Sequence, residues 1–308
     1  MNPNIKPDIK QDIKNRIRQL AKEKNAIILA HNYEPPEIQD IADLNGDSLE
    51  LSIKASQTDA DIIVFCGVKF MVETASILSP NKTILLPRLD AGCPMADMVT
   101  PKDLKAKIAE NPSMPVVTYV NSTAAVKALT TICCTSANVI KVANSIKENE
   151  MLMVPDRNLA NYAASKTNKI IHTWNGYCPF HNALTPEQVI NQKQAHPDAL
   201  FMAHPECRTE ILEMADMIAS TSGMIKIAKE SESTSFIVGT EIGLLYPLQK
   251  ANPNKTFYPA STAMECVDMK KITPEDVLNS LENLSGEVRV PEDIRVPALA
   301  SVQRMIEL

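Results

Sequence analysis

The stretch that decides the fold runs from residue 26 to residue 35 and reads AIILAHNYEP. A short apolar run ends there in polar residues, beginning with His31. The same plan returns at residues 116–123 as VVTYVNST and at residues 200–207 as LFMAHPEC. The corresponding positions His31, Asn121 and His204 lie 90 and then 83 residues apart. A segment that recurs at a nearly constant period predicts repeated structural units, and three are expected here.

Strands and helices are predicted to alternate along the chain. Short apolar runs separated by segments of helical periodicity are typical of α/β units with parallel strands. The nine predicted strands are residues 26–30, 61–65, 83–86, 116–120, 151–154, 169–172, 200–203, 235–238 and 256–258. An amphipathic helix is predicted over residues 5–20, from apolar residues at helical spacing. These residues are Ile5, Ile9, Ile13, Ile17 and Leu20.

A cysteine follows the third predicted strand of each repeat. Cys93 lies in DAGCPMAD, Cys178 in NGYCPFHN and Cys266 in AMECVDMK, which is 62, 57 and 62 residues beyond the polar residue that ends the first strand. Because ligands collect at the carboxyl ends of parallel strands, three units facing one axis would bring three thiolates together. Such a site could hold zinc or a [4Fe–4S] cluster with one open iron, and the spacing does not choose between them.

The other four cysteines are predicted to be structural, since free cysteine is among the most buried residue types. They are Cys66, Cys133, Cys134 and Cys207. Taken singly, each repeated cysteine is open to the same interpretation, and only their equivalent positions favour a ligand role. A disulfide framework is not expected, because the N-terminus lacks an apolar signal segment. No two cysteines have Cys-x-x-Cys spacing, so the zinc-ribbon, thioredoxin and ferredoxin patterns are absent.

Polar residues at the strand ends form a candidate acid–base set. Its members are His31, Tyr33, Tyr119, Asn121, His204 and Glu206. A single histidine after a strand is more often a surface or hydrogen-bonded residue, so the repeat carries this prediction. Hydroxyl-bearing turns recur at residues 46–48, 134–138 and 219–224, where helices are expected to begin. They are first of all N-caps, although helix N-termini also bind carboxylates and phosphates.

The composition excludes several classes of function. The 308 residues carry a formal net charge of −6, which does not favour nucleic acid or an anionic membrane as a partner. No apolar stretch approaches the ~20 residues that a membrane span needs. No Walker A or Rossmann fingerprint supports nucleotide binding. The protein is therefore expected to be cytoplasmic.

The chain resembles the quinolinate synthase family, also called NadA, in stretches that cover almost its whole length in the family's order. These stretches are AHNYEPPEIQDIADLNGDSLELS, VFCGVKFMVETASILSPNKTILLP, AGCPMADM, TYVNSTAAVKAL, CTSANV, VPDRNLA, WNGYCPFH, AHPEC, ASTSGM and FIVGTEIGL. The resemblance implies an α/β fold of three αβα sandwich domains with short parallel sheets, related by pseudo-threefold symmetry around a central active site. The expected domains are residues 1–100, 101–186 and 187–269, with residues 270–308 as helices that join the first.

The resemblance also implies a cofactor, substrates and site residues. The cofactor is a [4Fe–4S] cluster held by Cys93, Cys178 and Cys266, with one iron open. The reaction condenses iminoaspartate with dihydroxyacetone phosphate to quinolinate, phosphate and two waters in NAD biosynthesis. An aspartate oxidase or aspartate dehydrogenase is the expected source of iminoaspartate. The family's active-site positions fall on His31, Tyr33, Ser48, Tyr119, Asn121, Ser136, His204, Glu206 and Thr221.

Glu206 is expected to be the general base, with Tyr33 and Tyr119 relaying protons. His31 and the turns at Ser48 and Ser136 are expected to hold the dicarboxylate, and residues 220–222 the phosphate. The flanks of Cys266 lack the proline that follows the other two ligands, so its assignment rests on the repeat. Two alternatives stay open: another [4Fe–4S] hydro-lyase of a multi-carboxylate, and a non-catalytic protein with a structural zinc.

Overall fold

The structure is a computed structural model that describes the backbone of residues 6–308 and the side chains of residues 11–308. The side chains of Ile5 and Ile9, two positions of the predicted first helix, lie outside this part. The described residues divide into two compact units. One comprises the residues up to Gly92 together with Val267–Val290, and the other comprises Cys93–Cys266 together with Pro291–Leu308.

Three parallel sheets of four strands carry the fold. The first is built from β1 Ala26–His31, β2 Leu44–Gly46, β3 Ile62–Cys66 and β4 Thr83–Leu85. The second is built from β5 Val116–Tyr119, β6 Ile132–Cys134, β7 Glu150–Val154 and β8 Ile170–Thr173. The third is built from β9 Leu200–Ala203, β10 Met217–Ile218, β11 Ser235–Gly239 and β12 Thr256–Pro259. Each sheet has the same order, in which the second strand pairs with the first, the first with the third and the third with the fourth. The predicted α/β class and the threefold repeat are confirmed.

All nine predicted strands are present, with ends that differ by one residue at most. Sequence reasoning missed β2, β6 and β10, the second strand of each sheet. These strands are two or three residues long and lie at a sheet edge, where a single partner holds them. So short a run has no measurable alternation, because its conformation comes from pairing with the first strand rather than from its own residues. The repeated cysteines therefore follow the fourth strand of each unit, not the third.

Helices flank the sheets and begin at recognisable signals. They are α1 Lys6–Glu23, α2 Pro36–Gln39, α3 Ser48–Gln57, α4 Lys69–Leu78, α5 Pro101–Glu110, α6 Ala124–Lys127, α7 Val139–Ser145, α8 Arg157–Ser165, α9 Pro179–Asn182, α10 Pro186–Ala195, α11 Thr209–Leu212, α12 Thr221–Glu230, α13 Leu245–Ala251, α14 Pro274–Asn283 and α15 Glu292–Glu307. In α5, α10 and α14 a threonine N-cap precedes a proline at the first helical position. Proline suits that position because the first backbone N–H groups of a helix have no partner inside it.

The last helix packs elsewhere than expected. Helix α14 packs on α1 in the first unit, whereas α15 packs on α6 and β6 in the second. Ser301 of α15 donates to the Lys127 carbonyl at 2.9 Å, and the Cys133 thiol lies 3.5 Å from the Ser301 hydroxyl. Helix α15 thus covers the edge strand β6, and an edge strand without such a cover is open to pairing with other chains. This placement of residues 291–308 differs from the expectation that both C-terminal helices join the first domain.

The hydrophobic core of each unit lies between the faces of its sheets and the helices that pack on them. Every residue of β3 and of β5 is buried, as parallel strands covered on both faces require. Cys66, Cys133, Cys134 and Cys207 are fully buried, in keeping with their predicted structural role. Among the described residues, no helix has the length and apolar character needed to cross a membrane.

Candidate active site

The candidate site is organised around the carboxylate of Glu206, which is only 4% exposed. Glu206 follows β9, the first strand of the third sheet, and Tyr119 ends β5, the first strand of the second sheet. The Tyr119 hydroxyl donates to Glu206 Oε1 at 2.6 Å. The structure therefore brings the strand ends of two repeats onto one buried carboxylate.

Two histidines lie against the same carboxylate. His181 Nδ1 is 2.8 Å from Glu206 Oε2, and its Nε2 is 2.8 Å from the Thr240 hydroxyl. His204 Nδ1 accepts the backbone N–H of Glu206 at 3.3 Å, while Nε2 lies 3.2 Å from the Ser136 hydroxyl. The two rings lie 4.7 Å apart, centroid to centroid. Both ring nitrogens of each histidine are thus engaged, which fixes the orientation of both rings.

The electrostatics of the site keep Glu206 ionised. Burial alone would raise the pKa of its carboxyl, but His181, then His204 and the Tyr119 hydrogen bond lower that pKa to about 2. Asp156, also fully buried, has a pKa well above its ordinary value because of burial and the nearby Glu206. Two buried carboxyl groups with pKa values moved in opposite directions are typical of acid–base sites.

The three repeated cysteines have the same local structure. Each precedes a short helical turn and then a threonine N-cap seven residues on, followed by proline: Thr100 after Cys93, Thr185 after Cys178 and Thr273 after Cys266. The short turns are Ala96–Met98, Pro179–Asn182 and Val267–Lys270. This equivalence includes Cys266, whose flanking residues resemble the other two least. Cys-x₆-Thr-Pro is a pattern in the sequence that could have been found there.

The environments of the thiols place them within electrostatic range of one another. The pKa of Cys93 is raised to about 12, chiefly by burial and also by Glu206 and Cys266, although hydrogen bonds from the backbone N–H groups of Ala96 and Met95 oppose the rise. The pKa of Cys178 is well above its ordinary value because of burial, Glu206 and Cys93. Backbone N–H groups directed at sulfur are a usual means of tuning iron–sulfur clusters. Cys93 is therefore within electrostatic range of Cys178, Cys266 and Glu206.

The donor geometry bears on which metal the site could hold. Three thiolates on one tetrahedral zinc lie about 3.8 Å apart. Among the described residues, the group of three ligand atoms within 4.8 Å is Cys178, His181 and Glu206, and the three cysteines do not form such a group. His181 Nδ1 lies 3.1 Å from Cys178 Sγ and 2.8 Å from Glu206 Oε2, which are hydrogen-bond distances. At least two of the three cysteine sulfurs are therefore more than 4.8 Å apart.

The predicted residues of the first unit repeat part of this geometry. His31 Nδ1 accepts the backbone N–H of Tyr33 at 3.2 Å, as His204 Nδ1 accepts that of Glu206. The rings of His31 and Tyr33 pack edge to face, with their centroids 4.6 Å apart. Ser48 is the first residue of α3, but Asp47 is its N-cap, in a capping box with Glu50. The expectation that the serine of this turn caps the helix is therefore wrong, and its hydroxyl is not used in capping.

The remaining predicted residues lie at the corresponding strand and helix ends of the second unit. The Asn121 amide oxygen is enclosed and has no hydrogen-bond partner among the described residues. Thr221 is the buried first residue of α12, after the N-cap Ser220. Ser136 precedes Asn138, the N-cap of α7, and contacts His204 rather than the helix. None of Ser48, Ser136 and Thr221 is thus itself an N-cap, and each lies within two residues of one.

Sequence reasoning missed His181 and Asp156. His181 follows Cys178 by three residues on one helical turn, a spacing that places both on one face and could have indicated it. Asp156 follows a strand as the N-cap of α8, and that pattern predicts only capping. Its nearness to Glu206 depends on the packing of the second sheet against the third.

Comparison with known proteins shows the family of the chain. The model of the NadA family, described as quinolinate synthetase A protein, matches residues 15–307. A quinolinate synthase of Geotalea uraniireducens (strain Rf4) is 54% identical over 294 residues, covering 96% of this chain and 97% of the relative. The quinolinate synthase of Thermodesulfovibrio yellowstonii is 52% identical, covering 95% and 97%. Quinolinate synthase 1 of Methanosarcina acetivorans is 53% identical, covering 94% and 96%.

Proposed function

The chain belongs to the quinolinate synthase family of NAD biosynthesis, and from this premise we propose the reaction that its site performs. Iminoaspartate and dihydroxyacetone phosphate condense to quinolinate, with release of one phosphate and two waters. The observation that carries the proposal is the Glu206 carboxylate, which is buried, ionised and held between Tyr119 and His181. A positioned carboxylate that is ionised can accept a proton, and its enclosed site holds it within reach of a bound substrate.

The proposed roles follow from the contacts. The enamine carbon of iminoaspartate attacks the carbon of dihydroxyacetone phosphate that bears the phosphate; a C–C bond forms and the C–O bond to phosphate breaks. Glu206 then takes the proton that moves as the ketone becomes an aldehyde, and Tyr119 holds the carboxylate in place. The nitrogen closes on the aldehyde with loss of water, and loss of the remaining hydroxyl as water gives the aromatic ring.

Substrate contacts are proposed at the residues beside the caps. The Ser136 hydroxyl and His204 Nε2 form a polar pair suited to one carboxylate, and the enclosed Asn121 oxygen suits a substrate donor. The N-terminus of α12, a ten-residue helix that begins at Thr221, favours the phosphate through its dipole. His31, Tyr33 and Ser48 are proposed as further substrate contacts from the family resemblance.

We propose that Cys93, Cys178 and Cys266 hold a [4Fe–4S] cluster with one iron open. The N–H groups directed at Cys93 and the separation of the three sulfurs support a cluster over a zinc ion. When bound, an open iron acts as a Lewis acid that eases loss of a hydroxyl. An aspartate oxidase or aspartate dehydrogenase is proposed to supply iminoaspartate.

The test is quinolinate formation by anaerobically purified protein, after iron, sulfide and zinc are counted in the same sample. About four iron and four sulfide per chain are expected for a [4Fe–4S] cluster. Glu206→Gln should retain the cluster and lose at least ~100-fold in turnover, as expected for removal of a general base. The matched control is Glu213→Gln, the same change at an exposed residue of the same unit. Full turnover by Glu206→Gln would refute the base assignment, and zinc without sulfide would refute the cluster.

A further inference from the structure

The third strand of each sheet ends at a common anchor for the cysteine loop. Three residues after the strand, a backbone N–H donates to the carbonyl two residues before the cysteine. The pairs are Lys69 to Ala91 at 2.9 Å, Arg157 to Gly176 at 2.9 Å and Ile242 to Met264 at 2.9 Å. The loops that carry the three cysteines are therefore fastened in the same way.

The residue before each anchoring N–H differs between the repeats. It is Val68 in the first, Asp156 in the second and Glu241 in the third. Glu241 is 1% exposed, and its Oε1 accepts the backbone N–H of Cys266 at 3.1 Å while Oε2 accepts that of Gly243 at 2.7 Å. Asp156 accepts two N–H groups of α8, those of Asn158 and Leu159, at its Oδ1. The Glu241 carboxylate thus reaches the amide of a cysteine, that of Cys266.

The loop of Cys266 has the greatest need of such a contact. Pro94 and Pro179 follow Cys93 and Cys178 and restrict those loops, whereas Val267, 64% exposed, follows Cys266. Gly92, beside Cys93, donates its N–H to Asp268 Oδ1 at 3.1 Å. For Cys266 the restraint comes from Glu241, which lies on the preceding strand-to-helix turn.

We propose that Glu241 is a positioning residue that holds the Cys266 loop in the geometry needed to retain and tune the cluster. This inference rests on the proposed cofactor. Residues that orient ligands from outside the coordination sphere typically alter metal affinity by 10–100-fold. Both oxygens of Glu241 face N–H donors, the arrangement that an ionised carboxylate satisfies. Its charge, buried near the cluster, would disfavour reduction.

The experiment compares Glu241→Gln with Glu265→Gln in the reconstituted full-length protein. Glu265 is exposed and adjacent to Cys266, so it matches the loss of charge without the buried contacts. We measure the rate of iron release to a chelator under anaerobic conditions, the reduction potential of the cluster and the melting temperature of the cluster-free protein. Glu241→Gln should release iron about tenfold faster, with a more positive potential and an unchanged cluster-free melting temperature.

Three results would overturn the inference. Iron release and a reduction potential in Glu241→Gln equal to those in Glu265→Gln would refute the positioning role and leave the cluster assignment standing. A cluster-free melting temperature that falls in step with retention shows a merely structural role. Wild-type protein that binds no iron and sulfide refutes the proposed cofactor and this inference together.

Discussion

Replacing His181 tests whether the residues that surround Glu206 keep its carboxyl group ionised. Two replacements of similar size separate the effect of the hydrogen bond to Glu206 from that of the imidazole ring. Asparagine retains an amide donor near the position of Nδ1, whereas leucine retains none. Because His181 Nδ1 lies 2.8 Å from Glu206 Oε2, His181→Asn should keep a hydrogen bond to Glu206 without the imidazole ring, and His181→Leu should lose that hydrogen bond as well.

The magnitude follows from the balance of effects on Glu206. Burial is the largest influence and raises the pKa, and His181 is the largest influence that opposes it, so that the pKa is about 2 rather than the ordinary 4.5. Without His181, burial is opposed by His204 and Tyr119 alone, and the pKa should rise toward the ordinary 4.5 or above it. A return to 4.5 is a rise of ~2.5 units, or ~3.4 kcal/mol at ~1.36 kcal/mol per unit. His181→Asn should lie between the wild type and His181→Leu.

The assay is the pH dependence of kcat/KM for quinolinate formation between about pH 5.5 and 8.5. A carboxylate base acts when ionised, so activity falls as the pH drops through its pKa. The wild type should show no acid limb from Glu206 in this range, and His181→Leu should show one at its lower end. Because His181 also lies 3.1 Å from Cys178 Sγ, iron and sulfide are counted in each variant. A pH profile of fully loaded His181→Leu identical to that of the wild type would refute the reasoning.

Three further outcomes are expected. Cys266→Ser should lower iron and sulfide well below four per chain after reconstitution, and a full cluster there would exclude Cys266 as a ligand. Ser136→Ala removes the hydroxyl beside His204 and should raise KM for iminoaspartate about tenfold with unchanged iron content. The reason is that loss of a hydrogen bond to a charged group costs ~1.5 kcal/mol. An unchanged KM would contradict the proposed contact between Ser136 and a substrate carboxylate. Gly239→Ala places a methyl group 2.7 Å from the Phe201 ring and should lower the free energy of unfolding by ~1–3 kcal/mol in denaturant titration. Unaltered stability would show that the buried ring can move.

Much of the fold could be read from local patterns. The nine predicted strands are largely runs of apolar residues such as those of β1 and β3, and in β3 the burial on both faces makes the run continuous. The strand β10, Met217–Ile218, is too short to have a pattern, and pairing with β9 alone defines it. The start of α3 was placed correctly, but Asp47 rather than the serine beside it is the cap, and the two are equally good candidates by residue type.

The sequence by itself determined the threefold repeat, the three equivalent cysteines and the polar residues at the strand ends. These are local features, because a strand end or a helix start depends on neighbours along the chain. Only the tertiary structure decided that His181 and Asp156 lie beside Glu206, that Glu241 holds the amide of Cys266 and that α15 covers β6. The ionised state of Glu206 depends on its burial and on His181 and Tyr119, which are distant in the chain. These effects on its pKa exist only once the chain is folded.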